Sequence, residues 1–167
     1  MAMFVHLAPE SSASLIKKNG IRRRRRIVDL PRGGVYAMPV ARNYYASHQW
    51  LRELRRRSRE SIVGVYFRIN DDEQVFVGHY NQTHRWMAAT QAIAQFSAAK
   101  DQMGWQVIIP RSISASEIHR IRNLPQVLGW RFFPNAKGKP PRCTCDFCIR
   151  GDYGAQRLRK QFGGERD

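Results

Sequence analysis

Apolar residues fall in short runs, each closed by Pro, Gly or a charged cluster. Runs of this kind predict strands and short helices. Residues 4–7 predict a first strand, ended at Pro9. Ser11 or Ser12 can cap a short helix through Leu15 and Ile16, and Asn19-Gly20 is its stop signal. Residues 35–38 predict a second strand before Pro39. From 41 to 59 the spacing is helical. Tyr44, His48 and Leu51 share one face with Trp50 and Leu54 beside it, and Arg52, Arg55, Arg56 and Arg59 take the other. Residues 61–69 and 74–80 alternate as strands around the turn Asn70-Asp71-Asp72, which predicts a hairpin. The Ala-rich stretch 87–103 predicts a helix, 105–109 a buried strand stopped by Pro110, 114–121 a short helix, and 127–133 a last strand. Ser114 and Glu117 stand at capping-box spacing, a structural role for that Glu.

Strands neither alternate strictly with helices nor segregate from them. The expected fold class is α+β, with a mixed, mainly antiparallel sheet and helices, plus a Cys-containing C-terminal tail. The composition places one domain over residues 1–134. A basic, Cys-containing tail rich in Pro, Gly and Lys follows over 135–167, packed on or extending from that domain. The chain has no internal repeat, no GxGxxG and no Walker loop, so the common phosphate cradles are absent.

Charge changes the picture. Lys and Arg total 29 against 13 Asp and Glu, a formal net charge of +16 in 167 residues. Self-repulsion at that charge opposes a compact state, so a polyanionic partner is expected, with RNA or DNA first among candidates. Arg far outnumbers Lys, and Arg binds phosphate through two parallel N–H bonds. Residues 1–60 hold 14 basic and 4 acidic side chains. Two blocks dominate: Arg22, Arg23, Arg24, Arg25 and Arg26, then Arg52, Arg55, Arg56, Arg57 and Arg59. They are the candidate phosphate contacts, although a solvated face is the other reading of such a run. Arg85-Trp86 and Trp130-Arg131-Phe132-Phe133 interleave cations with aromatics that can stack on unpaired bases, though Trp130 and Phe132 serve equally as core.

No apolar stretch reaches the length of a membrane span, so no membrane partner is expected. The opening MAMFVHLAPE lacks a cationic region before its apolar residues, unlike a secretory signal. Cys143, Cys145 and Cys148 lie too close together for a secreted disulfide framework, and the expected compartment is cytoplasmic. Their C-x-C-x-x-C spacing suits Zn²⁺, with Asp146, His79, His84 or His119 as the fourth ligand. Three reduced thiols are the alternative.

Three segments carry a family resemblance. FVHLAPESSASLIKKNGI, GVYAMPVARNYYASHQWL and GWQVIIPRSISASEIHRI come in that order within residues 4–122. Together they resemble the ADP-ribosyltransferase-fold superfamily, in its DarT-like and RNA 2′-phosphotransferase-like branches. The resemblance implies an NAD-dependent transferase in a toxin or phage-defence setting; the +16 charge favours nucleic acid as acceptor, RNA preferred over DNA because a single strand exposes a base or hydroxyl without flipping, and an acidic antitoxin on the Arg blocks is a further expected partner. The resemblance also implies that His6 hydrogen-bonds the ribose of NAD and that Tyr36 stacks on the nicotinamide, or Tyr44 or Tyr45 supplies that face. Ala8 joins these as a cofactor-binding position. The third catalytic position, usually Glu, falls on Gln106. A carboxylate there would stabilise positive charge developing on the ribose and deprotonate the acceptor. Gln106 lacks charge and basicity but can orient a ribose hydroxyl through its amide oxygen. The chain then works with His-Tyr-Gln, takes a carboxylate from elsewhere (Glu73 or Glu117), or is inactive. The loop GHYNQTH, residues 78–84, would face the acceptor on this reading; a polar connector is the alternative. A reading from another class is a non-catalytic, zinc-stabilised RNA- or DNA-binding module.

Overall fold

A computed structural model describes residues 1–24, 30, 33–40, 44–55, 60–80 and 82–124. Along them run β1 (Ala2–Pro9), a 3-10 turn (Glu10–Ser12), α1 (Ala13–Asn19), β2 (Val35–Pro39), α2 (Tyr44–Arg55), β3 (Ile62–Ile69) and β4 (Gln74–His79). There follow β5 (Arg85–Ala88), α3 (Ala89–Ala98), β6 (Trp105–Ile109), a second 3-10 turn (Ala115–Glu117) and β7 (Ile118–Asn123). The strands form one seven-stranded sheet in the order β5-β4-β6-β2-β1-β3-β7. Every pairing is antiparallel, as the α+β reading expects.

The expected hairpin of β3 with β4 does not form. The turn itself exists, closed by the Glu73 amide donating to the Asn70 carbonyl at 3.3 Å. But β3 takes β1 and β7 as partners, and β4 takes β5 and β6. In a flat sheet β3 and β4 would lie four strand spacings apart, about 19 Å. A closed turn with one further residue step at each end spans less than about 15 Å. The sheet therefore curls, bringing its two halves over a shared interior. Val65 and Phe67 of β3 and Val75 and Val77 of β4 belong to one buried cluster. Ile16 of α1 and Ala89 and Ala92 of α3 belong to the same buried cluster.

Other boundaries differ from the sequence reading. Ser12 precedes α1 but forms no side-chain cap, and Ser11 Oγ donates to Glu60 at 2.6 Å instead. The helix expected over 87–103 begins as β5 and runs only over α3, because Phe76 and Val75 of β4 recruit Trp86 and Met87 as strand partners. The helix expected over 114–121 is a single 3-10 turn followed by β7. Leu54, expected beside the apolar face of α2, is 41% exposed. The expected last strand at 127–133, the boundary at 134 and the tail lie outside the described residues. No helix among the described residues is long and apolar enough to cross a membrane.

Candidate functional site

The weakest seam in the sheet lies at its centre. β1 pairs with β3 over eight residue pairs but with β2 over only two, Phe4 with Pro39 and Val5 with Met38. Beyond Val5 the two strands part, and His6 is the first residue past the break. Its Nδ1–H donates to the Tyr36 carbonyl oxygen at 2.7 Å, bridging the strands where the ladder has stopped. A carbonyl only accepts, so this bond fixes the proton on Nδ1 and leaves Nε2 as the acceptor. Burial of the ring pushes the His6 pKa below its ordinary 6.5, partly opposed by the Tyr36 bond. Among the described residues Nε2 has no hydrogen-bond partner.

Tyr36 and Gln106 sit on adjacent strands and share a face. Tyr36 pairs with Ile108, so Gln106 is its diagonal neighbour. Tyr36 is half-buried against Leu30, Phe76 and Ile108. These residues occupy the outer face of the sheet, away from the main core. His6 belongs by alternation to the other face, since Val5 is paired with Met38. The sequence candidates His6, Tyr36 and Gln106 therefore lie on three consecutive strands, β1, β2 and β6. His6 meets Tyr36 through the backbone, and no contact joins His6 to Gln106.

The sequence did not foresee the partner of Gln106. Its Nε2 lies 2.9 Å from His84 Nε2. The His84 Nδ1–H donates to the Gln82 carbonyl at 3.0 Å, so His84 Nε2 is free to accept the Gln106 amide proton. That leaves Gln106 Oε1 as an acceptor. Gly78, opposite Gln106 in the ladder, makes the arrangement possible. A Cβ there would sit 2.9 Å from the His84 ring. His84 also stacks on Phe76 at 5.2 Å.

The alternative carboxylates are committed elsewhere. Arg111 donates to both oxygens of Glu73, at 2.8 and 2.7 Å, and to both of Glu117, at 2.9 and 2.6 Å. Glu117 also accepts from the Ser114 amide at 2.8 Å, in line with its expected cap. These bonds, the Arg111 bond foremost, hold the Glu117 carboxyl down at about 2, against a desolvation cost. They raise Arg111 above its already high value. Arg111 lies five residues past Gln106 along the chain, about 16 Å if extended. Neither carboxylate serves the Gln106 position in this arrangement.

Other candidates scatter. Ala8 is buried in the main core, so only its backbone could meet a ligand. Tyr44 and Tyr45 open α2, and their side chains are outside the described part. Arg22, Arg23 and Arg24 are exposed. The Arg24 backbone is held by reciprocal bonds with Gly34 at 2.8 and 3.1 Å. Arg52 and Arg55 are half-buried rather than on an open face, and Arg55 donates to the Glu60 carbonyl at 2.6 Å. Arg25, Arg26, Arg56, Arg59, Cys143, Cys145 and Cys148 lie outside the described residues. Among the described residues no three His, Cys, Asp or Glu side chains are grouped to hold a metal. Comparison with models of known protein families, with curated proteins and with solved structures finds no match to this chain.

Proposed function

We propose that this chain is an NAD-dependent ADP-ribosyltransferase-like protein that modifies nucleic acid, with RNA preferred over DNA as the acceptor. The observation that carries the reading is His6 at the β1–β2 break. It is a neutral imidazole with one nitrogen held by Tyr36 and the other left to accept. That donor set fits a ribose hydroxyl. NAD, when bound, supplies the ADP-ribosyl group that is transferred. His6 Nε2 would accept a ribose hydroxyl proton in a hydrogen bond, while the Tyr36 ring and Gln106, on the opposite face of the sheet, would meet the same ligand only across the parted β1–β2 seam. Gln106 Oε1 would orient a second hydroxyl. Gln106 cannot take a proton, and the one basic lone pair of the His84 ring, on Nε2, already accepts from the Gln106 amide. The +16 charge favours a polynucleotide acceptor over a protein. A toxin or defence role with an acidic antitoxin belongs to the same proposal.

The test is to incubate the purified protein with labelled NAD and to separate RNA, DNA and protein. Label on RNA, lost in His6→Ala, is the expected result. No label on any pool, with Gln106→Glu equally silent, would defeat the enzyme reading. Among the described residues no free carboxylate stands at Gln106, which favours a second reading, a non-catalytic RNA- or DNA-binding module stabilised by zinc on its cysteines. Calorimetric titration with NAD separates the two, since that module gives no heat of binding.

A further inference from the structure

The outer face of β4 and β5 carries two rings, Phe76 and Trp86, that the transferase reading does not use. Trp86 pairs with Phe76, Phe76 with Ile108, and Ile108 with Tyr36, so one register line crosses four strands. The Trp86 and Phe76 rings lie 5.2 Å apart, and the Phe76 and His84 rings the same. Phe76 is buried by this packing, yet Trp86 remains 51% exposed. Beside the row lies the His84–Gln106 pair, whose amide oxygen is an acceptor turned to no protein donor among the described residues. A large exposed ring next to an amide and an imidazole offers a flat apolar surface and a hydrogen-bonding edge together. Those are the two features an unpaired base requires.

Charge lies at the Tyr36 end of the row, the far end from Trp86, and favours a polyanionic strand long enough to span both. Arg24 is exposed and fixed to Gly34, two residues before Tyr36 on the strand that ends the row. Arg22 and Arg23 continue the exposed cationic run. A neutral apolar partner would gain nothing from that rim, and the chain carries +16 overall. A duplex would present phosphates to the arginines but no base face to Trp86.

We propose that this face binds an unpaired nucleobase of a single-stranded nucleic acid, stacked on Trp86 with its edge at Gln106 and His84. The proposal rests on the nucleic-acid half of the functional reading; its stacking ring, Trp86, has no part in the NAD reading, whereas its edge residues Gln106 and His84 are shared with it. It makes residues 84–86 the part of the molecule that tells single strands from duplexes. It also places Gln106 between the base and the His6 seam.

The experiment compares the full chain with Trp86→Leu and Trp86→Phe. Fluorescence anisotropy follows labelled single-stranded RNA, single-stranded DNA and a duplex of the same sequence at two salt concentrations. Far-UV circular dichroism checks that each variant is folded. Single strands should bind more tightly than the duplex. Trp86→Leu should weaken single-strand binding by about ten-fold, while Trp86→Phe, which keeps a ring face, stays within about three-fold of the parent. The salt slope should not change, because no cation is removed. The two single strands report whether the sugar contributes. A folded Trp86→Leu chain that binds as the parent does, or a duplex bound as tightly as the strand, overturns the inference and leaves the nucleic-acid reading standing. A parent chain that binds neither overturns both. Failure of the NAD assay alone leaves the stacking surface intact.

Discussion

At His6 the Tyr36 carbonyl decides which ring nitrogen holds the proton, and burial decides that the ring stays neutral. The unfolded chain takes up a proton at the ordinary value of 6.5, whereas the folded chain resists it. Its contribution to stability is therefore complete above that value and declines as pH falls through it. A single group limits this slope to about 1.4 kcal/mol per pH unit. Urea midpoints measured from neutral pH down through the histidine range should fall more steeply for the parent than for His6→Gln. Equal slopes would mean that the ring is not held neutral. Gly20 sets a different constraint. It ends α1 at φ 78°, and a Cβ there would lie 2.0 Å from the Ile113 carbonyl oxygen, which is itself engaged by the Ile21 amide. Backbone on both sides cannot yield. Gly20→Ala should cost about 2 kcal/mol or more in chemical denaturation, with α1 detached first.

Between elements, Arg111 joins the entry of β4 to the turn before β7 by holding Glu73 and Glu117 together. The Glu117 carboxyl is held down from 4.5 to about 2 by Arg111 first and by Ser114 after it. Its stabilisation is thus full above 4.5 and is lost as pH falls towards 2. Arg111 is 40% exposed, so solvent screens the gain. Glu117→Gln should cost about 1 kcal/mol at neutral pH and flatten the acid limb of the stability profile. An unchanged acid limb would place the load on other carboxylates. The elements also show what a sequence can carry. Strands β2 and β6 were legible because Pro39 and Pro110 close short, mostly apolar runs. β7 was not, because Ile118 and Ile121 stand three apart, a helical spacing. An irregularity opposite Tyr66 and Phe67 lets both meet the core side, Ile118 paired with Phe67 and Ile121 with Val65. The hairpin failed for a similar reason: the turn was local and readable, whereas the partners of β3 and β4 are long-range. At the candidate site, the sequence named the strands that carry His6, Tyr36 and Gln106. It offered no sign that His84, in a polar loop, would cross Gly78 to reach Gln106. Only the β4–β5 and β4–β6 pairings bring them together.

Over the whole molecule, the charge is a field with a local rim. Arg22, Arg23 and Arg24 are the exposed part of the first Arg block that the structure describes. Replacing all three with Gln should lower the magnitude of the slope of log affinity against log salt by about 2 to 3, and should weaken all sequences alike. A titration series in salt gives that slope directly, and an unchanged slope would move the phosphate contacts elsewhere. The strand order has one more consequence, which concerns synthesis. A chain emerges from the ribosome N-terminus first. By residue 69 it holds β2, β1 and β3, three neighbours that can pair at once. The other flank of β2 must wait for β6, which ends at residue 109. During that interval an apolar strand edge stands open in the nascent chain, the kind of edge that recruits other chains. The order of birth leaves β2, the strand that later carries Tyr36, open until β6 is made and β3 open until β7 is made, two edges through which a half-made molecule can aggregate.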